Sequence, residues 1–252
     1  MDKPSPDGIR AVAFDCYGTL IDFTDQAFIR TYHEICLQQG LPCDGKALWD
    51  KWMDIWLRMA SQGRARENPR NEATSWTTAR PTLDFRPYSE EWPEHFEACF
   101  RELGVRGDGV AAYAHVRNGL SEASAFAETA DVLTALKSRY QLGILSNADN
   151  DFLTACLERN GLHVKFQLIV TSESAGVYKP HEQIFHSFVE ASGFARHEVL
   201  YVGDSQSADV LGAKNAGLPV AWLNRDGSSL REGVPRPDHE IASLTDLLDL
   251  LS

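Results

Sequence analysis

The sequence predicts an α/β protein: a doubly wound parallel sheet interrupted by an inserted helical domain. Five short apolar runs, at residues 11–14, 142–145, 168–170, 199–202 and 220–223, are rich in β-branched residues and bounded by turn formers, the mark of buried strands. Amphipathic stretches at 130–140, 149–160, 181–192 and 208–216 alternate with them. Strand–helix–strand alternation calls for parallel strands with helices on both faces. Residues 23–116 separate the first run from the rest, read as helical, and hold five of the six tryptophans.

In chain order, the run at 11–14 feeds directly into Asp15-Cys16-Tyr17-Gly18-Thr19-Leu20. An acid at the carboxyl end of a buried strand lies where open α/β sheets bind ligands. In the insertion, Trp49, Trp52 and Trp56 fall at i, i+3 and i+7 and share one helix face. That face serves either to pack the insertion's helices or to wall the active site. Between residues 57 and 87 lie Arg58, Arg64, Arg66, Arg70, Arg80 and Arg86, against only Glu67, Glu72 and Asp84. They form either a solvated, partly paired face or a lid that recruits an anion. Beyond the insertion, Pro180 fits a first helical turn, and Gly161 and Gly217 fit helix ends. A short final helix is expected over 244–251, with Leu247, Leu248, Leu250 and Leu251 as its apolar side. The division expected is a core of residues 1–22 and 117–252 and a helical cap of residues 23–116.

With 252 residues, 43% of them hydrophobic and 24% charged, the chain has ample material for a core. Its net charge of −12 argues against nucleic acid or an anionic membrane as a partner. The five cysteines, Cys16, Cys36, Cys43, Cys99 and Cys156, lack C-x-x-C spacing and fit reduced thiols. No apolar run approaches the roughly 18 residues a membrane helix needs. Residues 1–8 are polar and turn-rich, unlike a signal peptide, so a cytoplasmic protein with a frayed start is expected. The oligomeric state is left open.

Four loops after strands carry the chemistry. They hold Asp15; Ser146 and Asn147; Lys179; and Asp204 with Asp209 five residues on. A parallel sheet brings all four to one edge. A carboxylate can act as a nucleophile and form a covalent intermediate. Three clustered carboxylates repel one another, by roughly 4 kcal/mol per pair at about 4 Å and an effective dielectric near 20. A hard divalent cation is therefore implied, and oxygen ligands with substrate phosphate suit Mg²⁺. Lys179 would neutralise the nucleophile and a small anionic substrate, with Ser146 and Asn147 donating hydrogen bonds to its oxygens. No G-x-S-x-G or Walker loop is present. His181 and His186 are five apart, not the i, i+4 pair of a helical zinc site.

These four motifs, in this order, resemble the haloacid dehalogenase superfamily. The resemblance implies a Rossmann-like core, an α-helical cap over the site and an aspartyl intermediate on Asp15. It also implies Mg²⁺ held by Asp15, Asp204 and the Tyr17 backbone carbonyl, with Asp209 in support. Thr19, Ser146 and Asn147 are expected on the substrate, and Asp15, Tyr17 and Lys179 in catalysis. Two signals conflict. Phosphatases of this family usually carry an acid where Tyr17 stands, whereas 2-haloacid dehalogenases carry tyrosine. Those dehalogenases, however, have serine at the Asp204 position and asparagine at the Gln206 position, and need no metal. They also place a halide-binding arginine early in the cap, where Leu48-Trp49-Asp50-Lys51 puts Asp50. At pH 7 a phenol of pKa about 10 is roughly one part in a thousand ionised, a poor base for water. A Mg²⁺-dependent phosphatase of a small phosphorylated metabolite is the leading expectation. The alternatives are a metal-independent 2-haloacid dehalogenase and a binding protein that keeps the phosphate pocket with little turnover.

Overall fold

The computed structural model describes residues 8–61 and 85–252. Six parallel strands form one sheet among the described residues: β1 (Ala11–Phe14), β2 (Gln141–Ser146), β3 (Leu168–Thr171), β4 (Val199–Gly203), β5 (Val220–Leu223) and β6 (His239–Ile241). Their order is β3-β2-β1-β4-β5-β6, the doubly wound arrangement with its crevice where the winding reverses. That point lies between β1 and β4, which pair in register from Ala11↔Val199 to Phe14↔Val202. All four residues of β1 are fully buried, as a central strand covered on both faces requires.

The period-two alternation of strands divides the core. Val12, Phe14, Leu142, Ile144 and Val202 pack on the side continuous with the insertion. Ala11, Ala13, Leu145, Tyr201 and Trp222 face the other side, against Phe185 and Phe188. The covering helices are α5 (Thr129–Lys137), α6 (Asn150–Arg159), the single turn α7 (Ser172–Ala175), α8 (Glu182–Ser192), α9 (Leu211–Asn215) and α10 (Asp246–Leu250).

Between β1 and β2 the chain folds into α1 (Asp25–Gln38), α2 (Gly45–Ser61), α3 (Tyr88–Leu103) and α4 (Gly109–Glu122). Local signals set their ends. Asp108 accepts a hydrogen bond from the Ala111 N–H at the start of α4. Gly104, at φ 68°, ends α3 in the left-handed conformation. Two antiparallel linkers join this cap to the sheet: the Asp22 N–H bonds to the Ser124 carbonyl at 2.8 Å, and Ile21 bridges Ala125. The boundary expected at 116 falls within α4, whose buried stripe Ala112, Tyr113, Val116 and Leu120 continues past it. α4 also packs on α6, and Asp149 of the core accepts from the Tyr88 and Ser89 N–H groups at 2.9 and 2.7 Å. A core carboxylate thus satisfies the orphan donors and positive end of α3.

Three local expectations change. A sixth strand, His-Glu-Ile, is recruited by pairing with β5. Pro180 lies outside α8, which starts at Glu182 with His181 as its cap, and the Lys179–Pro180 bond is cis. The helix expected over 208–216 opens with a wide π turn, Gln206–Val210, before α9. Arg64, Arg66, Arg70 and Arg80 of the arginine-rich segment, Trp76 and residues 1–7 lie outside the described residues. Arg58 and Arg86 pair on the cap surface with Glu102 and Glu94. All five cysteines are free thiols. No described helix is long and apolar enough to cross a membrane.

Candidate active site

Asp15 leaves the end of β1 and meets Ser146 at the end of β2, Lys179 beyond α7, and Asp204 and Asp209 after β4. Ser146, at the end of β2, donates to Asp15 Oδ1 at 2.9 Å, and Lys179 Nζ donates to the same oxygen at 2.7 Å. Lys179 also donates to Asp209 Oδ1 at 2.7 Å and to the Tyr201 hydroxyl at 3.0 Å. Its three ammonium protons are thereby matched by three acceptors. Burial alone would lower the pKa of this 2%-exposed lysine, but Asp15 and Asp209 outweigh it and hold it above the ordinary range. Lys179 is a fixed cation, not a base.

Asp204 follows β4 by one residue. Its Oδ1 accepts from the Thr19 hydroxyl at 2.8 Å, and its backbone carbonyl accepts from Trp222 Nε1 at 2.9 Å. A Cβ on Gly18, whose φ is +91°, would lie 2.7 Å from Asp204 Oδ2. Glycine there lets the carboxylate rest on the backbone of the loop after β1. The π turn swings Asp209 back under the sheet edge, fully buried, where it also accepts from the Ser205 N–H at 2.9 Å. Such turns commonly sit at functional sites.

One carboxylate oxygen from each of Asp15, Asp204 and Asp209 lies within 4.8 Å of the other two. Fully ionised, the three carboxylates would carry two negative charges beyond what the Lys179 ammonium neutralises, in a largely buried place. Burial first, then Asp15 and Asp209, push the Asp204 pKa well up; burial likewise raises Asp209 despite Lys179. Hard oxygen donors with two uncompensated charges match the needs of a divalent cation such as Mg²⁺.

Tyr17 lines the same cleft as Asp15, but its hydroxyl is turned to the cap and donates to the Leu120 carbonyl of α4 at 3.3 Å. Its ring sits edge-on to Phe23 at 6.2 Å and tilted on Phe152 at 5.9 Å. Burial, then Cys16 and Cys156, raise its pKa well above that of a free phenol, so still less of it is ionised and able to take a proton than its sequence indicates. Two residues expected on the substrate are occupied within the protein. Thr19 is fully buried and orients Asp204. The Asn147 amide spans the Lys179 peptide, accepting from its N–H at 2.8 Å and donating to its carbonyl at 3.2 Å.

Residues 9–217 match the family described as haloacid dehalogenase-like hydrolases. The chain belongs to that family. Among curated relatives, the pyrimidine 5'-nucleotidase YjjG of Escherichia coli (strain K12) is 39% identical over 121 residues, 48% of this chain and 53% of that protein. The alignment thus spans about half the length of that relative. The (S)-2-haloacid dehalogenase of Pseudomonas sp. (strain YL) is 28% identical across 97% of this chain and 95% of its own. The HAD-hydrolase YfnB of Bacillus subtilis, solved bound to magnesium, shares the fold at a TM-score of 0.76 and 24% identity, covering 97% of this chain and 99% of that one.

Within this haloacid dehalogenase-like hydrolase, sequence reasoning missed several residues that shape the site. Tyr201, Trp222 and Arg225 look like ordinary strand or turn residues. Tyr201 adds the third acceptor on Lys179 and lies 2.8 Å from Asp209 Oδ1 and 3.1 Å from the Leu145 carbonyl. Arg225 lies 3.8 Å over the Phe126 ring and donates to Glu128 at 2.8 Å and to the Thr19 carbonyl at 3.1 Å, bracing the loop after β1. Asp50, expected from the resemblance to stand where the dehalogenases carry arginine, pairs with Lys46 on α2, whereas its neighbour Trp49 lines the cleft.

Proposed function

We propose that this hydrolase is a Mg²⁺-dependent phosphatase of a small phosphorylated metabolite, with Asp15 as nucleophile. The observation that carries this reading is Asp204 beside Asp15 and Asp209, a largely buried cluster that, when ionised, carries two negative charges beyond what Lys179 neutralises. Asp15, Asp204, Asp209 and the Tyr17 carbonyl would hold the ion, which when bound supplies positive charge to the phosphoryl oxygens. Ser146 and Lys179 grip Asp15 at Oδ1 and fix its carboxylate for attack. An Asp15 oxygen forms a bond to phosphorus as the ester oxygen leaves with its electron pair. Water then attacks the aspartyl phosphate, releasing inorganic phosphate and restoring the carboxylate. Lys179 stays protonated through both steps and offsets charge on the transferring group.

The test is inorganic phosphate release from an aryl phosphate with Mg²⁺ and with EDTA. Mg²⁺-dependent release that Asp15→Asn abolishes is expected; metal-independent or absent release would overturn the reading. A second reading, hydrolysis of a 2-halo acid, is favoured by Tyr17 and by the full-length match to an (S)-2-haloacid dehalogenase. It leaves the charge of Asp204 unexplained. Halide release from 2-chloropropionate insensitive to EDTA would establish it. A third, phosphate binding without turnover, ends with any multiple turnover.

A further inference from the structure

The cleft above Asp15 has a volume of about 710 Å³, within the usual range for small-molecule sites. Its two walls differ in kind. The core contributes carboxylates, Lys179, Arg225 and Arg231. The cap contributes Phe28, Trp49, Trp52, Trp56, Tyr88 and Trp92. Phe28 stacks on Trp49 at 5.2 Å and 18°, and Tyr88 tilts over Trp92 at 4.4 Å and 36°. Among the described residues, the cap side of this cleft offers no lysine or arginine, and its one charged group is Asp25. Among the described residues, nothing on that cap side attracts a second anionic group on the substrate, whereas flat π faces favour an aromatic one.

A second observation concerns the leaving group. The residue two after Asp15 holds its only ionisable atom, the Tyr17 hydroxyl, against the Leu120 carbonyl. An ester oxygen that departs here must stabilise its own negative charge. A phenol, with a pKa about 10, does so far better than an alcohol.

Building on the phosphatase reading, we infer that the substrate is an aryl phosphate, a phosphate monoester whose ester oxygen is carried directly by an aromatic ring. The ring lies against the cap aromatics, and the phosphoryl group against Asp15, Ser146 and Lys179. The Asp15–phosphorus bond forms as the phosphorus–aryl oxygen bond breaks. The electron pair leaves on the phenolate, which takes its proton from water.

The experiment is phosphate release with Mg²⁺ at pH 7 from phenyl, benzyl and cyclohexylmethyl phosphate and from 2-phosphoglycolate, read as kcat/KM. Phenyl should exceed benzyl by about 100-fold or more, the scale of a missing positioned acid. Benzyl should exceed cyclohexylmethyl by about 3- to 10-fold, the scale of an aromatic pair. The 2-phosphoglycolate should be the poorest. Tyr17→Asp should narrow the phenyl-to-benzyl ratio by about tenfold or more, and Phe28→Leu should bring the benzyl-to-cyclohexylmethyl ratio toward one. Equal rates for phenyl and benzyl, or a preference for cyclohexylmethyl phosphate or 2-phosphoglycolate, overturn the aryl assignment and leave the phosphatase reading standing. No phosphate from any of the four removes the phosphatase reading and the assignment with it.

Discussion

The loops after β1 and β4 lie side by side on neighbouring parallel strands, yet they point to different chemistries. The β1 loop carries Tyr17 where a phosphatase of this family has an acid, and the structure ties its hydroxyl to the cap. The β4 loop carries Asp204 and Asp209, which with Asp15 build a carboxylate triad suited to a cation. The two loops do not weigh equally. A tyrosine held away by a backbone carbonyl is compatible with either reaction. A buried, net-negative cluster is costly unless something positive joins it. Charge, more than motif likeness, is therefore the ground on which we propose the metal-dependent reaction.

The largest effect should come from the point where the loops meet. Asp15→Asn should lower phosphate release by about 10⁴-fold or more, as loss of a nucleophile does elsewhere. Removing a negative charge from the β4 loop is next. Asp204→Asn should weaken Mg²⁺ binding by more than about 100-fold, beyond the usual cost of losing an outer-sphere partner, as measured by calorimetric titration. In EDTA the same variant should melt higher than the parent, because the folded state raises the Asp204 pKa and so disfavours its charged form. A lower melting point in EDTA would show that the charge is already compensated. On the β1 loop, Tyr17→Asp should raise phosphatase kcat by about tenfold or more. A dehalogenase would gain nothing.

The smallest effect concerns stability and sits in the cap. His95 lies stacked on Trp52 at 3.8 Å and near-parallel to Trp56 at 5.8 Å, with Nε2 3.1 Å from the Trp52 carbonyl. Burial pushes its pKa down to about 4, with the Trp52 carbonyl opposing and Arg58 assisting. The folded state therefore prefers the neutral ring. The stability this confers is complete above the unfolded value near 6.5 and is lost as pH falls toward 4, about 3 kcal/mol in all. Urea unfolding across that range should show the loss, and His95→Gln should remove it.

The sequence made the sheet and the four loops legible because both are local signals. Buried parallel strands are continuous apolar runs, and the candidate groups Asp15, Ser146 and Asp204 fall at or immediately after their ends. What stayed hidden depends on distant partners. β6 is three residues with only Ile241 buried, and it is a strand because β5 offers a free edge. Tyr201 reads as one more inward strand residue until the lysine meets it from β3's side of the sheet. Thr19 and Asn147 carry the right groups, but only packing reveals that one orients Asp204 and the other the Lys179 peptide. The tryptophan stripe of α2 was legible as a face. Its double use, packing on Tyr32 and His95 while lining the cleft, appears only in three dimensions.

The central claim is that the Asp204 side of the site sets the reaction despite Tyr17. The most direct measurement puts phenyl phosphate and 2-chloropropionate before the same preparation, with Mg²⁺ and with EDTA, and follows phosphate and chloride together. The account predicts phosphate release that EDTA abolishes, and no chloride. Chloride release undiminished by EDTA, with no phosphate, would contradict it.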